Sequence, residues 1–319
     1  MEMKMKAGAT TIKKKRYTGY FSDIKKNWQL YVMILLPLIY ILVFKYYPMY
    51  GARIAFCDYI PQKGVAGSEW VGLKHFINFI NSPQFFVLIK NTLTLSLYSL
   101  LLSIPFPILL ALSLHYLINQ RFKKVVQMST YLPHFLSTVI IVSMLHLIFN
   151  TQSGVVNNIL NAITGEKINF MSLSKYFRHM YVWSGVWQDV GWNSILYISA
   201  LAGVDPQLHE AAIIDGAGKW RRIWHIDIAS IMPTISIMII MSMGSIISVG
   251  FDKSFLMQNP TNLDVSEILS TYEYKIGIGG GMPNYSYPAA IALMTSIVTF
   301  ILICVTNKIS KSLSETSLW

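Results

Sequence analysis

Six stretches of this chain stay apolar long enough to cross a membrane, and that decides most of what it can fold into. A hydrocarbon layer about 30 Å thick takes roughly 20 apolar residues in a helix. With no water beside them, backbone amides there must bond within their own segment. The runs are about Trp28 to Phe44, Asn91 to Leu112, Met128 to Phe149, Met180 to Ala202, Ile231 to Val249 and Tyr287 to Thr306. Pro105 and Pro107 fall in the second and Pro133 in the third. The chain is 13% charged, against about 25% for a soluble domain. The expected class is an all-α integral membrane protein with six transmembrane helices.

The first run follows the basic stretch KKKRYTGYFSDIKK, as the apolar part of a signal peptide would. It ends at Lys45, Tyr46, Tyr47 and Pro48 instead of a small-residue cleavage site, so it reads as a membrane helix. Lys and Arg near span ends are retained on the cytoplasmic side. Eight precede Trp28, three surround Arg121, three surround Arg221 and two lie in the C-terminal tail, while the other ten spread over longer loops. Both termini are therefore expected inside. The chain divides into a basic tail (1–27), a first helix (28–50), an external loop (51–85), a core (86–306) holding a polar loop (203–229), and a C-terminal tail (307–319).

The formal charge of +11 is a topology signal. Dispersed among membrane flanks, the basic residues form no single face for a nucleic acid. Cys57 and Cys304 fall on opposite sides of the bilayer, so no disulfide is expected, and metal-ligand spacings are absent. His75, His134 and His146 read as hydrogen-bonded structural residues. No nucleophile–base constellation is present, and no GxxxxGK[ST] loop; GAGKW, from Gly216, lacks that loop's spacing and its Ser or Thr.

Between the fourth and fifth runs the chain turns polar, DPQLHEAAIIDGAGKWRRIWHI. Asp205 reads as an N-cap and Pro206 as a first helical residue, where its missing N–H is harmless. A short helix to about Ile214 should end at Asp215 and Gly216. Trp220, Ile223 and Trp224 then recur at helical spacing beside Arg221 and Arg222, which predicts a second, amphipathic piece lying at the interface and held by those three against its own membrane domain. Small residues at the elbow suit close approach by another protein.

Glu210-Ala211-Ala212, three residues, Gly216, nine residues and Ile226 resemble the EAA loop of binding-protein-dependent ABC importer permeases. Ile228 and Ala229 stand where that pattern has Leu and Pro, which leaves open how the elbow joins the fifth span. Longer stretches, Trp28 to Tyr59, Trp70 to Leu93, VGFDKSFLMQNP from Val249 and the ending SETSLW, resemble the LplB-like permeases of carbohydrate importers in the maltose-permease superfamily. The resemblance implies a five-helix type I importer core of MetI-like fold, with one extra N-terminal helix outside it. It implies a second permease, two cytoplasmic ATPases holding the ATP and Mg2+, an external solute-binding lipoprotein, and an oligosaccharide or polysaccharide fragment as substrate. No cofactor is expected in this chain. In that family the elbow is a coupling helix seated in the ATPase, and Glu210, Ala211, Ala212, Asp215, Gly216 and Ala217 are the matching positions.

The fourth run, VWSGVWQDVGWNSILY, places an ionisable group within a span. Asp189 and Asn193 share a helix face, and Trp187 and Trp192 stand nearby; a sugar packs its CH-rich face on a ring while its hydroxyls bond polar groups. These residues line a substrate path, or Asp189 is hydrated near the outer end of its span or paired within a dimer interface. Ser242 and Ser245, beside Gly244, line the same path or permit close helix packing. Gly279, Gly280 and Gly281 form a turn at the mouth, or a contact to the binding protein. A non-carbohydrate solute and an ion-coupled secondary transporter are the competing functions; the latter should show an internal repeat, and none is evident.

Overall fold

Helices dominate because the apolar runs leave the backbone no other partner. The computed structural model describes residues 24–247, 250–279 and 284–314. Most of the basic tail, Val249, Gly280, Gly281 and residues 315–319 lie outside the described residues. The chain divides after Arg53 into two units.

In the first unit α1 (Trp28–Ile41) carries Pro37 within it and buries none of its residues. It runs on through a wide turn at Leu42–Tyr46 into a tight 3-10 stretch, Tyr47–Phe56.

The second unit opens with a two-stranded antiparallel pair, β1 (Cys57–Asp58) and β2 (Glu69–Trp70), with Cys57 opposite Trp70. α2 (Gln84–Ser103) and α3 (Pro105–His115) follow one another as a single 32-residue membrane-length helix. Pro105 opens α3, where its lost N–H costs least. Next come α4 (Gln120–Tyr131) and α5 (Thr138–Ile148).

The expected third span, one helix over Met128 to Phe149, is broken there: the stretch Gln120–Phe135 and α5 meet at 102°. Pro133 sits in a 3-10 turn, Leu136 is extended, and the Ser137 side chain caps α5 by accepting from the Ile140 N–H. The Leu136 carbonyl freed by the break accepts from Nε2 of Gln188 at 3.0 Å.

α6 (Ser174–Ala202) is the hub, packing on α2, α3 and α4. Its buried residues Phe177, Met180, Tyr181, Gly191, Ser194, Tyr197 and Leu201 recur at the three- and four-residue spacing of a helix face. A Cβ on Gly191 would stand 2.1 Å from the Thr130 carbonyl oxygen, so α4 crosses α6 backbone to backbone at this glycine. Tyr197 and Leu201 join Ala111, Leu112 and Ile231 in one core cluster; Phe177, Met180 and Tyr181 join Leu95, Val142 and Met257 in another.

α7 (Pro206–Ile214) forms the polar loop's first piece. The second piece is no separate interfacial helix. Lys219–Arg222, a wide π turn at Ile223–Asp227 and α8 (Ile228–Met243) form one continuous 25-residue helix, with Pro233 inside it. A π turn absorbs one extra residue without breaking the helix, so the Ile228-Ala229 departure needs no chain break.

α9 (Phe251–Met257) and α10 (Leu269–Gly277) are short, and α11 (Ser286–Ser314) completes the unit. The stretch between α9 and α10 is pinned to α2: buried Asn91 donates to the carbonyls of Asp264 and Glu267, and Thr92 Oγ1 accepts from the Leu269 N–H.

Four described helices are long and apolar enough to cross a membrane: Trp28–Phe56, Gln84–His115, Lys219–Met243 and Ser286–Lys311, with a fifth if the bent pair is one span. α6 has the length, at 29 residues. Arg178, Gln188, Asp189 and Asn193 make it less apolar than the other four.

Candidate coupling elbow and substrate cavity

Cap chemistry builds the elbow. Asp205 Oδ1 accepts from the Gln207 N–H at 2.9 Å, and Pro206 follows as the first helical residue. At the far end Gly216 takes φ +76°, its N–H bonds to the Ile213 carbonyl at 3.0 Å, and the Ala217 N–H bonds to Ala212 at 2.8 Å. This paired closure satisfies the last carbonyls and needs a left-handed residue at Gly216. A Cβ at Gly216 or Gly218 would meet nothing within 4 Å, so backbone conformation, not space, demands the glycine at 216.

Glu210, Ala211, Asp215 and Gly216 are exposed, and Ala212 and Ala217 half-buried. Ala212, Asp215, Ala217, Arg221, Arg222, His225 and Ile226 line a cleft of about 320 Å³ at the elbow. The tryptophans do not hold it inward: Trp220 is 84% exposed and Trp224 67%, while Ile223 alone of the three packs on the core. The wide turn that follows Arg222 ends on Asp227, which is buried.

What holds the elbow is polar. Asp227 is fully buried and accepts from the Tyr116 hydroxyl at 2.6 Å. His209, on α7, brings Nε2 to 3.2 Å from the other carboxylate oxygen. That contact is off the line of a hydrogen bond, since both atoms lack a hydrogen-bond partner. Lys219 Nζ lies 4.8 Å from the centre of the Tyr116 ring. Burial, then the bond to Asp227, pushes the Tyr116 hydroxyl up to about 12, which keeps it the donor. Asp227 was not among the candidates; its signal in the sequence is an acid opening an apolar run.

A cavity of about 480 Å³ lies among α2, α3, α5, α6 and α9. Tyr181, Gly185, Gln188, Asp189 and Asn193 of α6 line it, opposed by Ser99 and Ser103 of α2 and by Ser245, Asp252 and Lys253. Residues 188 and 189 stand at the middle of α6, away from either end. Asp189 accepts from Nδ1 of His134 at 2.8 Å, and the His134 ring stacks on Trp192 with centroids 4.4 Å apart.

Of the expected path residues Asp189, Asn193 and Ser245 therefore line one space. Trp187 faces a separate apolar pocket with Ile141 and Met144, Trp192 is 43% exposed behind His134, and Ser242 bonds back to the Met238 carbonyl within its own helix. Asp252 and Lys253 were read only as part of a family stretch. Two adjacent charges between apolar neighbours were the available signal.

A polar space at mid-helix, in a bundle of membrane-length helices that ends in an exposed elbow, is the anatomy of a membrane subunit that passes a solute. Over residues 84–315 the chain matches the family described as binding-protein-dependent transport system inner membrane component, and it belongs to that family. It is 41% identical over 311 residues to the polygalacturonan/rhamnogalacturonan transport system permease protein YteP of Bacillus subtilis (strain 168), covering 98% of this chain and 96% of that one. Protein LplB of the same organism is 41% identical over 301 residues, 94% of each chain. The fold is shared with a chain of a bacterial ABC transporter involved in the import of the acidic polysaccharide alginate, with a TM-score of 0.85 and 36% identity over 92% of this chain and 99% of that one. A bacterial alginate ABC transporter in complex with an alginate pentasaccharide-bound periplasmic protein gives 0.86 and 35%, over 94% and 99%.

Proposed function

We propose that this chain is one permease of an ATP-driven importer that moves oligosaccharides or polysaccharide fragments inward by alternating access. The cavity at the middle of α6 carries the reading, because hydroxyl-bonding Gln188, Asn193, Ser99 and Ser245 surround a space large enough for a sugar unit. The sugar transport named for YteP and the alginate transporters supports the substrate class.

In this reading six spans cross the cytoplasmic membrane with both termini inside. A second permease pairs with this one, two ATPases hold the ATP and Mg2+, and a solute-binding lipoprotein delivers the sugar from outside. The elbow, with Glu210, Ala211, Ala212, Asp215, Gly216 and Ala217, seats in an ATPase groove. Because its second piece is continuous with α8, closure of the ATPase pair turns the spans as a rigid body.

The test is reconstitution of both permeases, the ATPases and the binding protein in proteoliposomes, followed by uptake of labelled oligosaccharide. ATP-dependent uptake that requires the binding protein supports the reading. Uptake driven by an ion gradient without the ATPases sinks it.

A further inference from the structure

Lys253 is 8% exposed, and its ammonium reaches the cavity described above. Among the described residues it forms no ion pair, and its Nζ lies 5.0 Å from the centre of the Tyr181 ring. The charge of Asp189 acts on it from beyond ion-pair distance, so no anion touches this buried ammonium directly, and its place on the cavity wall leaves room for one.

The carboxylates at hand are otherwise placed. Asp189 is bonded to His134 and its side chain is 46% exposed, while Asp252 is exposed at the rim. Space beside the ammonium is kept open by Gly185, where a Cβ would lie 3.4 Å from Nζ. The same wall presents the amides of Gln188 and Asn193. A buried cation next to hydroxyl-bonding amides matches a sugar ring that carries both a carboxylate and hydroxyls.

We propose that Lys253 receives the carboxylate of a uronic acid unit in this cavity and selects acidic over neutral oligosaccharides. This rests on the importer reading above and adds a specificity residue to it. A Lys ammonium serves as a point charge for a carboxylate whose angle changes as the chain of sugars advances, where a bidentate Arg would fix one orientation.

The experiment uses the complete reconstituted importer with two probes, trigalacturonate and the same trisaccharide with its carboxyls reduced to primary alcohols. Calorimetry first measures each probe on the binding protein. Lys253→Met is expected to lower trigalacturonate uptake roughly ten- to a hundredfold, the worth of one hydrogen bond to a charged group. The reduced trisaccharide is expected to lose much less uptake in this variant than trigalacturonate does, with Lys253→Arg recovering part of the trigalacturonate loss.

Equal loss for both probes means that Lys253 is structural and overturns the proposal. So does trigalacturonate uptake indifferent to Lys253→Met, or a wild-type importer and binding protein that take only the reduced sugar. That last result leaves the sugar-importer reading standing. Uptake of neither probe, together with ATP-driven uptake of a non-sugar solute, removes both.

Discussion

The Tyr116 hydroxyl donates to the buried Asp227 carboxylate at 2.6 Å, tying the end of α3 to the start of the α8 helix behind the elbow. With His209 on the opposite oxygen, one charge touches three segments that must move together if the elbow is to move the spans.

Tyr116→Phe removes that hydrogen bond and leaves Asp227 buried against His209 alone. A hydrogen bond to a charged group contributes about 1.5–3 kcal/mol. The unfolding temperature of the purified complex should drop, and ATP hydrolysis should respond less to loaded binding protein. Unchanged stability and unchanged stimulation would show that the contact carries nothing.

Gly216→Val forces a β-branched residue to φ +76°, at about 1–2 kcal/mol or more, whereas Gly218 lies at an ordinary φ of −65° with open space around it. Gly218→Ala should be silent in transport. Gly216→Val, and Glu210→Lys by charge reversal on the exposed face, should leave sugar capture by the binding protein intact and abolish uptake-coupled ATP hydrolysis. Normal coupled transport in both would remove the elbow's assigned role.

Gly191→Ala places a methyl 2.1 Å from the Thr130 carbonyl oxygen. Overpacking at a rigid backbone contact costs about 1–3 kcal/mol or more. The variant should elute as aggregate or melt well below wild type in detergent. A well-folded Gly191→Ala would mean that α4 and α6 do not cross this closely.

Asp58 is bonded to Lys74 at 2.6 Å, with His75 Nε2 3.0 Å away. The Lys74 bond, ahead of burial's opposing effect, holds the Asp58 carboxyl below its usual range. A depressed folded value means that its contribution is fully present above the unfolded value of about 3.9 and is lost as pH falls through the folded one. Amide protection factors across 57–75, taken relative to the intrinsic exchange rate at each pH, should therefore fall below about pH 4 in wild type. Asp58→Asn should exchange faster at neutral pH and show less of this acid dependence.

What was readable ahead of the structure was local. Asp205, Pro206 and Gly216 delimit α7 because a cap, a missing N–H and a left-handed residue each act within a few residues of themselves. The break after Pro133 was not readable, since a proline in an apolar run bends or breaks a helix according to whether partners satisfy the freed carbonyl, and Gln188 is 52 residues from Leu136. Asp227 and Tyr116 are 111 residues apart, a pairing no spacing announces. Trp220 and Trp224 misled because helical periodicity marks a face without saying what it faces. Asp189 was visible as an acid in a span, but its place beside Lys253 depended on α9 folding back against α6.

The most direct test of the account is ATP hydrolysis by the reconstituted importer, measured with and without sugar-loaded binding protein, for wild type and Gly216→Val in parallel with uptake. The account predicts stimulation by loaded binding protein in wild type, with uptake following it, and loss of both in Gly216→Val while all subunits are retained. Sugar uptake that proceeds at the wild-type rate with no ATPase bound to this chain would contradict it.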